Sequence, residues 1–201
     1  QVFLAGADDY VSKPIVAPEL VTRILNRLER SRLMRNMAEI DALTGVANRR
    51  KSTQDIEQFL LLAERQQKPL SLAILDLDHF KHVNDRYGHS MGDRVLQHLG
   101  KLLRTSFRGE DVVARWGGEE FIVGMYNTTA CLAIKRIEEV LELLRQQVFA
   151  SDEGESFQVT FSAGIAQYLQ DGADLQTLYK VADTILYRAK AAGRNRVLVS
   201  P

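Results

Sequence analysis

The sequence predicts an α+β fold, an α/β sandwich on a mostly antiparallel sheet, and three observations predict it. LSLAILDLD (70–78) places Leu70, Leu72 and Ile74 on one side at the two-residue period of a strand. LQTLYKVADTILYRAKAAG (175–193) repeats apolar residues at the three-and-four spacing of a helix with one buried face. Between residues 111 and 126, DVVARW and EEFIVGMY are strand-like runs joined by Gly117 and Gly118, the mark of a hairpin.

Residues 1–17 read as a helix end, a Gly turn and a short strand, DYVSK, entered midway without an initiator methionine, so that a segment upstream is expected. GADDYVSKP resembles the last strand of response-regulator receiver domains, in which a Lys-Pro pair like Lys13-Pro14 follows the strand and the lysine contacts a phosphoryl group. The resemblance implies a C-terminal receiver remnant over 1–17 with no activity of its own. Residues 18–40 read as one long linker helix. Pro18 suits its first turn, and Glu19 suits its positive end. Val21, Ile24 and Leu28, then Leu33, Met37 and Ile40, give it a coiled-coil tendency, with arginines on a solvated face.

Residues 41–201 form the main domain. A helix over 49–67 precedes the strand at 70–78. A loop that becomes a helix (79–107), the hairpin, a helix (129–149), a strand (157–169), the helix to Gly193 and a closing strand, RVLVS, follow. This order contains βαββαβ, which predicts a ferredoxin-like core with helices on one face of the sheet.

Composition narrows the function. With 201 residues, 45% hydrophobic and 26% charged, the chain suits one main domain plus an appendage. A formal net charge of zero argues against a nucleic-acid or membrane partner, so an anionic ligand must be small and held by a local cluster. A lone cysteine, Cys131, expected to pack a helix, leaves no disulfide framework and fits a reducing cytoplasm. No signal peptide or membrane-length apolar run is present.

The acids fall where a strand face would otherwise be apolar. Asp76 and Asp78 continue the Leu70 side to the C-terminal edge of its strand. Glu119 and Glu120 open the second hairpin strand and point to opposite faces; if the two strands are neighbours, Asp76 and Glu119 converge. Clustered carboxylates are unfavourable without a cation. Hard oxygen ligands with room for water and phosphate suit Mg2+, with Mn2+ as the alternative. Lys190 and Arg194, four apart on one helix face, reach a common anion. Backbone N–H groups at Phe80 and Lys81, near a helix start, suit phosphate oxygens. Asn84 and Asp93 offer an amide and a carboxylate, and a carboxylate accepting two N–H groups distinguishes guanine from adenine. His79, His82, His89 and His98 lack a second cluster at ligand spacing and are read as structural.

Five motifs in register carry a family resemblance: DALTGVANRR (41–50), DLDHFKHVNDRYGHSMGD (76–93), RWGGEEF (115–121), AGIA (163–166) and YRAKAAGRNRV (187–197). They closely resemble the GGDEF domain of diguanylate cyclases, which condense two GTP into cyclic di-GMP and release pyrophosphate. Glu119 stands in place of the name-giving aspartate, and active members use either acid. The resemblance implies that Asp76 and Glu119 bind Mg2+ beside the Leu77 carbonyl, and that Glu120 helps to bind metal or activates the nucleophile. It implies guanine contacts from Asn84 and Asp93 and phosphate contacts from His79, Phe80, Lys81, Lys190 and Arg194. Gly117 and Gly118 would let the nucleotide lie against the turn.

Each 3′-hydroxyl must attack the α-phosphorus of the other GTP, so two domains must face each other as a homodimer. RGED (108–111), starting nine residues before Gly117, matches the family's RxxD inhibitory site, which implies that the product binds Arg108 and Asp111. A catalytically quiet sensor of GTP or cyclic di-GMP is the alternative, disfavoured because no signature residue is lost. A DNA-binding regulator is disfavoured by zero net charge and the lack of a helix-turn-helix pattern.

Overall fold

The computed structural model describes residues 17–37, 39–151 and 154–200, and the chain divides into two compact units, 1–38 and 39–201. In the first unit the described residues form α1, Ala17–Met37, whose Val21, Ile24 and Leu28 side chains are exposed. The expected strand DYVSK and residues 1–16 of the expected receiver remnant lie outside the described residues. Ile40, expected to end the linker helix, instead makes an isolated bridge to Ala47.

The second unit runs β1 (Ala47–Asn48), α2 (Arg49–Gln66), β2 (Leu70–Leu77), α3 (Phe80–Tyr87), α4 (His89–Ser106), β3 (Val112–Gly117) and β4 (Glu120–Tyr126). It continues with α5 (Ala130–Gln146), β5 (Phe149–Ala150), β6 (Ser156–Phe157), β7 (Phe161–Gln167), α6 (Leu175–Ala191) and β8 (Val197–Val199). Six strands form one sheet in the order β1-β3-β4-β2-β7-β8. The central pairs, β3 with β4, β4 with β2 and β2 with β7, are antiparallel, and the edge strands β1 and β8 pair in parallel.

Local chemistry sets the helix ends. The Asn48 side chain accepts from the Lys51 N–H to start α2, and Asp174 accepts from the Thr177 N–H to start α6. Gly88, at φ +82°, separates α3 from α4, so the single helix expected after the strand is two. The strand expected over 157–169 is also divided: Phe157 pairs with Phe149, and β7 begins only at Phe161.

Helices cover both faces of the sheet, not one as expected. Leu70, Leu72 and Ile74 pack with Ile56 and Leu60 of α2 and Leu178 and Leu186 of α6. Ala73, Leu75 and Leu77 pack with Val95 and Leu99 of α4 and Ile137 and Leu144 of α5. Both parities of β2 are apolar, and a strand apolar on both sides must be covered on both. Close packing fixes α6 against β7: a Cβ at Gly164 would collide with the Ala182 carbonyl and the Leu186 N–H. No helix among the described residues is long and apolar enough to cross a membrane.

Candidate active site

The site is built at the C-terminal end of β2. The register sets Asp76 directly opposite Glu120 on β4 and Ser162 on β7, and directly opposed residues share a face. Glu120 is therefore the directly opposed cross-strand neighbour of Asp76, the place expected for Glu119. The physical reason is that the β2–β4 ladder runs without a break from Leu70–Tyr126 to the Asp76–Glu120 pair; the β3–β4 pairing has a register shift between Arg115 and Gly117. Glu119 lies in the turn beside Gly118 (φ +52°), where its carbonyl faces the Leu77 N–H at 3.5 Å. Asp76, Leu77, Glu119 and Glu120 all meet at this one sheet end.

Arg115 closes the turn by donating from Nε and Nη2 to the Gly118 carbonyl at 2.9 and 2.8 Å. Its Nη1 lies 3.4 Å from Asp41 Oδ1, which also accepts the Thr44 N–H and hydroxyl. A Cβ at Gly117 or Gly118 would meet nothing within 4 Å, so the turn presents open space to an incoming ligand.

The electrostatics are unbalanced toward negative charge. The Asp76 side chain, 13% exposed, pairs with Lys190 Nζ at 2.8 Å. Burial nonetheless pushes its pKa up, helped by Asp78 and opposed by Lys190 and Arg194. Burial also pushes Glu120 up, and Asp76, Asp183 and Glu119 add to the effect against Lys190. Among the described residues no group of three His, Cys, Asp or Glu side chains is arranged to hold a metal ion by itself. The crowded donors are all hard oxygens, which fits a cation completing its shell with water and phosphate, as Mg2+ does.

Lys190 and Arg194 do not share a helix face as expected. The helix stops at Ala191; Gly193 (φ +109°) and Arg194 (φ +60°) turn the chain, with the Arg194 N–H donating to the Ala189 carbonyl. Both cations still act on Asp76. Asp78, also on the expected acidic face, is buried and accepts from Thr160 Oγ1 and Ser162 Oγ at 2.7 Å each and from the Asn195 N–H at 2.9 Å.

The remaining candidates flank this cluster in the chain. His79, at φ +57°, caps α3, and its carbonyl accepts from His82 and Val83. The Phe80 side chain is buried in the core, so the residue has its backbone to offer a phosphate, while Lys81 is exposed. Asn84 on α3 lies against Gly92 of α4, the residue before Asp93: a Cβ at Gly92 would collide with Asn84 Oδ1. His98 packs edge-on against Phe149, and Cys131, expected to pack its helix, is exposed.

At RGED the Asp111 carboxylate, with its side chain 2% exposed, accepts from Arg136 Nη2 at 2.6 Å and from the Arg108 N–H at 3.0 Å. The Arg108 side chain extends outward, 68% exposed, with Glu110 4.0 Å away.

Comparison with known families matches residues 38–196 to GGDEF, described as "Diguanylate cyclase, GGDEF domain". The chain belongs to the GGDEF family. Among its relatives, the response regulator PleD of Caulobacter vibrioides is 34% identical, matching 96% of this chain and 45% of PleD. The diguanylate cyclase DgcS of Shewanella oneidensis is 35% identical, over 92% of this chain and 60% of its own length. The chain thus spans roughly half the length of these curated relatives.

Solved GGDEF structures share the fold. The DgcB domain of Caulobacter crescentus, in complex with c-di-GMP, superposes with a TM-score of 0.76 at 29% identity, covering 80% of this chain and 92% of that one. The active GGEEF domain of a Vibrio cholerae diguanylate cyclase gives 0.71 at 33%, covering 77% and 97%. Within this GGDEF domain, sequence reasoning overlooked Asp183, Arg136 and Arg145. Asp183 had a signal: it lies seven residues before Lys190 on one helix, hence on the same face.

Proposed function

We propose that this chain is a diguanylate cyclase that condenses two GTP into cyclic di-GMP and two pyrophosphates, acting as a homodimer. The observation that carries the proposal is the opposition of Asp76 and Glu120 beside Glu119, an oxygen-lined cluster in which Asp76 and Glu120 disfavour their own charge and which Lys190 enters. In this reading Asp76 and Glu119, with the Leu77 carbonyl, hold Mg2+ or Mn2+, and Glu120 assists them or takes the 3′-hydroxyl proton. The cation would supply charge stabilisation at the phosphates and acidify the hydroxyl. Each 3′-oxygen forms a bond to the α-phosphorus of the other GTP, the bond to pyrophosphate breaks, and the hydroxyl proton passes to the base.

Asn84 and Asp93 read guanine. Lys190, Arg194, Lys81 and the backbone at His79 and Phe80 hold the phosphates, with the nucleotide lying against Gly117 and Gly118. The exposed Val21, Ile24 and Leu28 of α1 supply a seam for the second copy. Residues 18–40 serve as linker to the catalytic domain at 41–201. PleD's being a response regulator, with a match covering 96% of this chain, supports a receiver remnant at 1–17.

Product binds at Arg108 and Asp111, with Arg136 beside them, and inhibits. Incubation of the purified chain with GTP and Mg2+, followed by mass spectrometry, should yield cyclic di-GMP, and Glu119→Ala should yield none. Added product should slow turnover, and Arg108→Ala should relieve this while keeping GTP affinity. No cyclic dinucleotide from a concentrated sample would reverse the proposal in favour of a quiet sensor.

A further inference from the structure

The loop that carries Arg194 is gripped from two sides by residues that the proposed chemistry does not use. On one side the Asn195 N–H donates to Asp78 Oδ2 at 2.9 Å, and Asp78 is itself immobilised by the Thr160 and Ser162 hydroxyls and by its N–H on the Thr160 carbonyl. On the other side Arg145 of α5 donates from Nε to Asn195 Oδ1 at 2.7 Å and from Nη2 to the Asn195 carbonyl at 2.9 Å. Glu142 orients Arg145 through its third nitrogen at 2.9 Å. Arg194 and Asn195 both sit at positive φ, +60° and +52°, a conformation that side-chain-bearing residues keep only when their surroundings enforce it. The grip supplies that enforcement.

We propose that Arg145 is a positioning residue for nucleotide binding: with buried Asp78 as the fixed anchor, it braces Asn195 so that Arg194 is presented to the phosphates beside Asp76. The planar guanidinium suits this task, since two of its nitrogens engage the side chain and the main chain of one residue at once. Asn195 thereby becomes a rigid hinge pin and not a free loop residue. The inference rests on the assignment of Arg194 to the phosphates and extends it to a residue that touches no substrate.

Calorimetric titration of the full chain with a non-hydrolysable GTP analogue plus Mg2+, and separately with guanosine monophosphate, tests it in Arg194→Ala, Arg145→Ala and the double variant. The Arg145 side chain is 37% exposed, so its loss leaves the core intact. Each single variant should weaken the triphosphate analogue about tenfold, the scale of one charge-assisted contact, with monophosphate binding unchanged. The double variant should bind no more weakly than Arg194→Ala alone. Multiplied losses in the double variant, or an equal loss of the monophosphate, would overturn the positioning role. Wild-type affinity in Arg145→Ala beside weakened Arg194→Ala removes this inference alone; wild-type affinity in Arg194→Ala removes the phosphate assignment and the inference together.

Discussion

Asp76 and Asp78 stand two residues apart at the end of one strand, yet their surroundings differ in kind. Asp78 is 6% exposed, and two hydroxyls and a backbone N–H satisfy its oxygens with neutral donors. Asp76 faces a second acid across the sheet and pairs with one partly exposed lysine, with Arg194 also acting on it. Burial works against its charge even so. A carboxylate completed by fixed neutral donors is architecture. One crowded by other acids, with a partly exposed lysine as its partner, suits a ligand that brings positive charge.

The largest effect that would sharpen this contrast is expected of Asp76→Asn. Cyclic di-GMP formation should fall by about a hundred- to a thousandfold, measured by chromatography of the products, while the melting temperature stays level or rises. The site disfavours the Asp76 charge, so a neutral isostere relieves the fold. Next comes Asp78→Ala, which leaves three donors without an acceptor. That should cost about 3 kcal/mol, a fall of roughly 10 °C in melting temperature by scanning calorimetry. Asp76→Asn unfolding the protein, or Asp78→Ala leaving its melting point unmoved, would erase the distinction between the two acids.

Much of this site was legible in the sequence because strands and helices advertise their periods. The end of β2, the Gly-Gly hairpin and the apolar helix faces follow from local spacing. Which glutamate meets Asp76 does not: the register of β2 against β4 sets it, and a register one residue away would exchange the faces. The spacing of Lys190 and Arg194 looked helical, but Gly193 sits between them and ends the helix. The second helical layer was foreshadowed by Ala73, Leu75 and Leu77, the apolar parity opposite the acids. Arg136 and Arg145 lie 25 and 50 residues from the partners they hold, and no periodicity links residues so far apart.

The smallest effect extends the contrast to Glu120, which belongs with Asp76 if its charge is similarly unwelcome. Burial first, then Asp76 and Asp183, raise its folded-state pKa above the ordinary glutamate range. Between the unfolded and folded values the folded protein binds more protons, so stability falls as pH rises through that window and stays reduced above it. Glu120→Gln removes this penalty. Its melting temperature should exceed wild type by about 2 °C at neutral pH, a modest gain because the half-exposed group is partly screened by solvent. The difference should close as pH drops below the unfolded glutamate value, where both states are protonated. Mg2+ should also narrow it at neutral pH, since a cation bound to the native wild type stabilises that state by mass action. Fluorimetric melting across pH, with and without Mg2+, reads both trends. A Glu120→Gln protein less stable than wild type at neutral pH would place Glu120 with Asp78, as an acid held by favourable contacts.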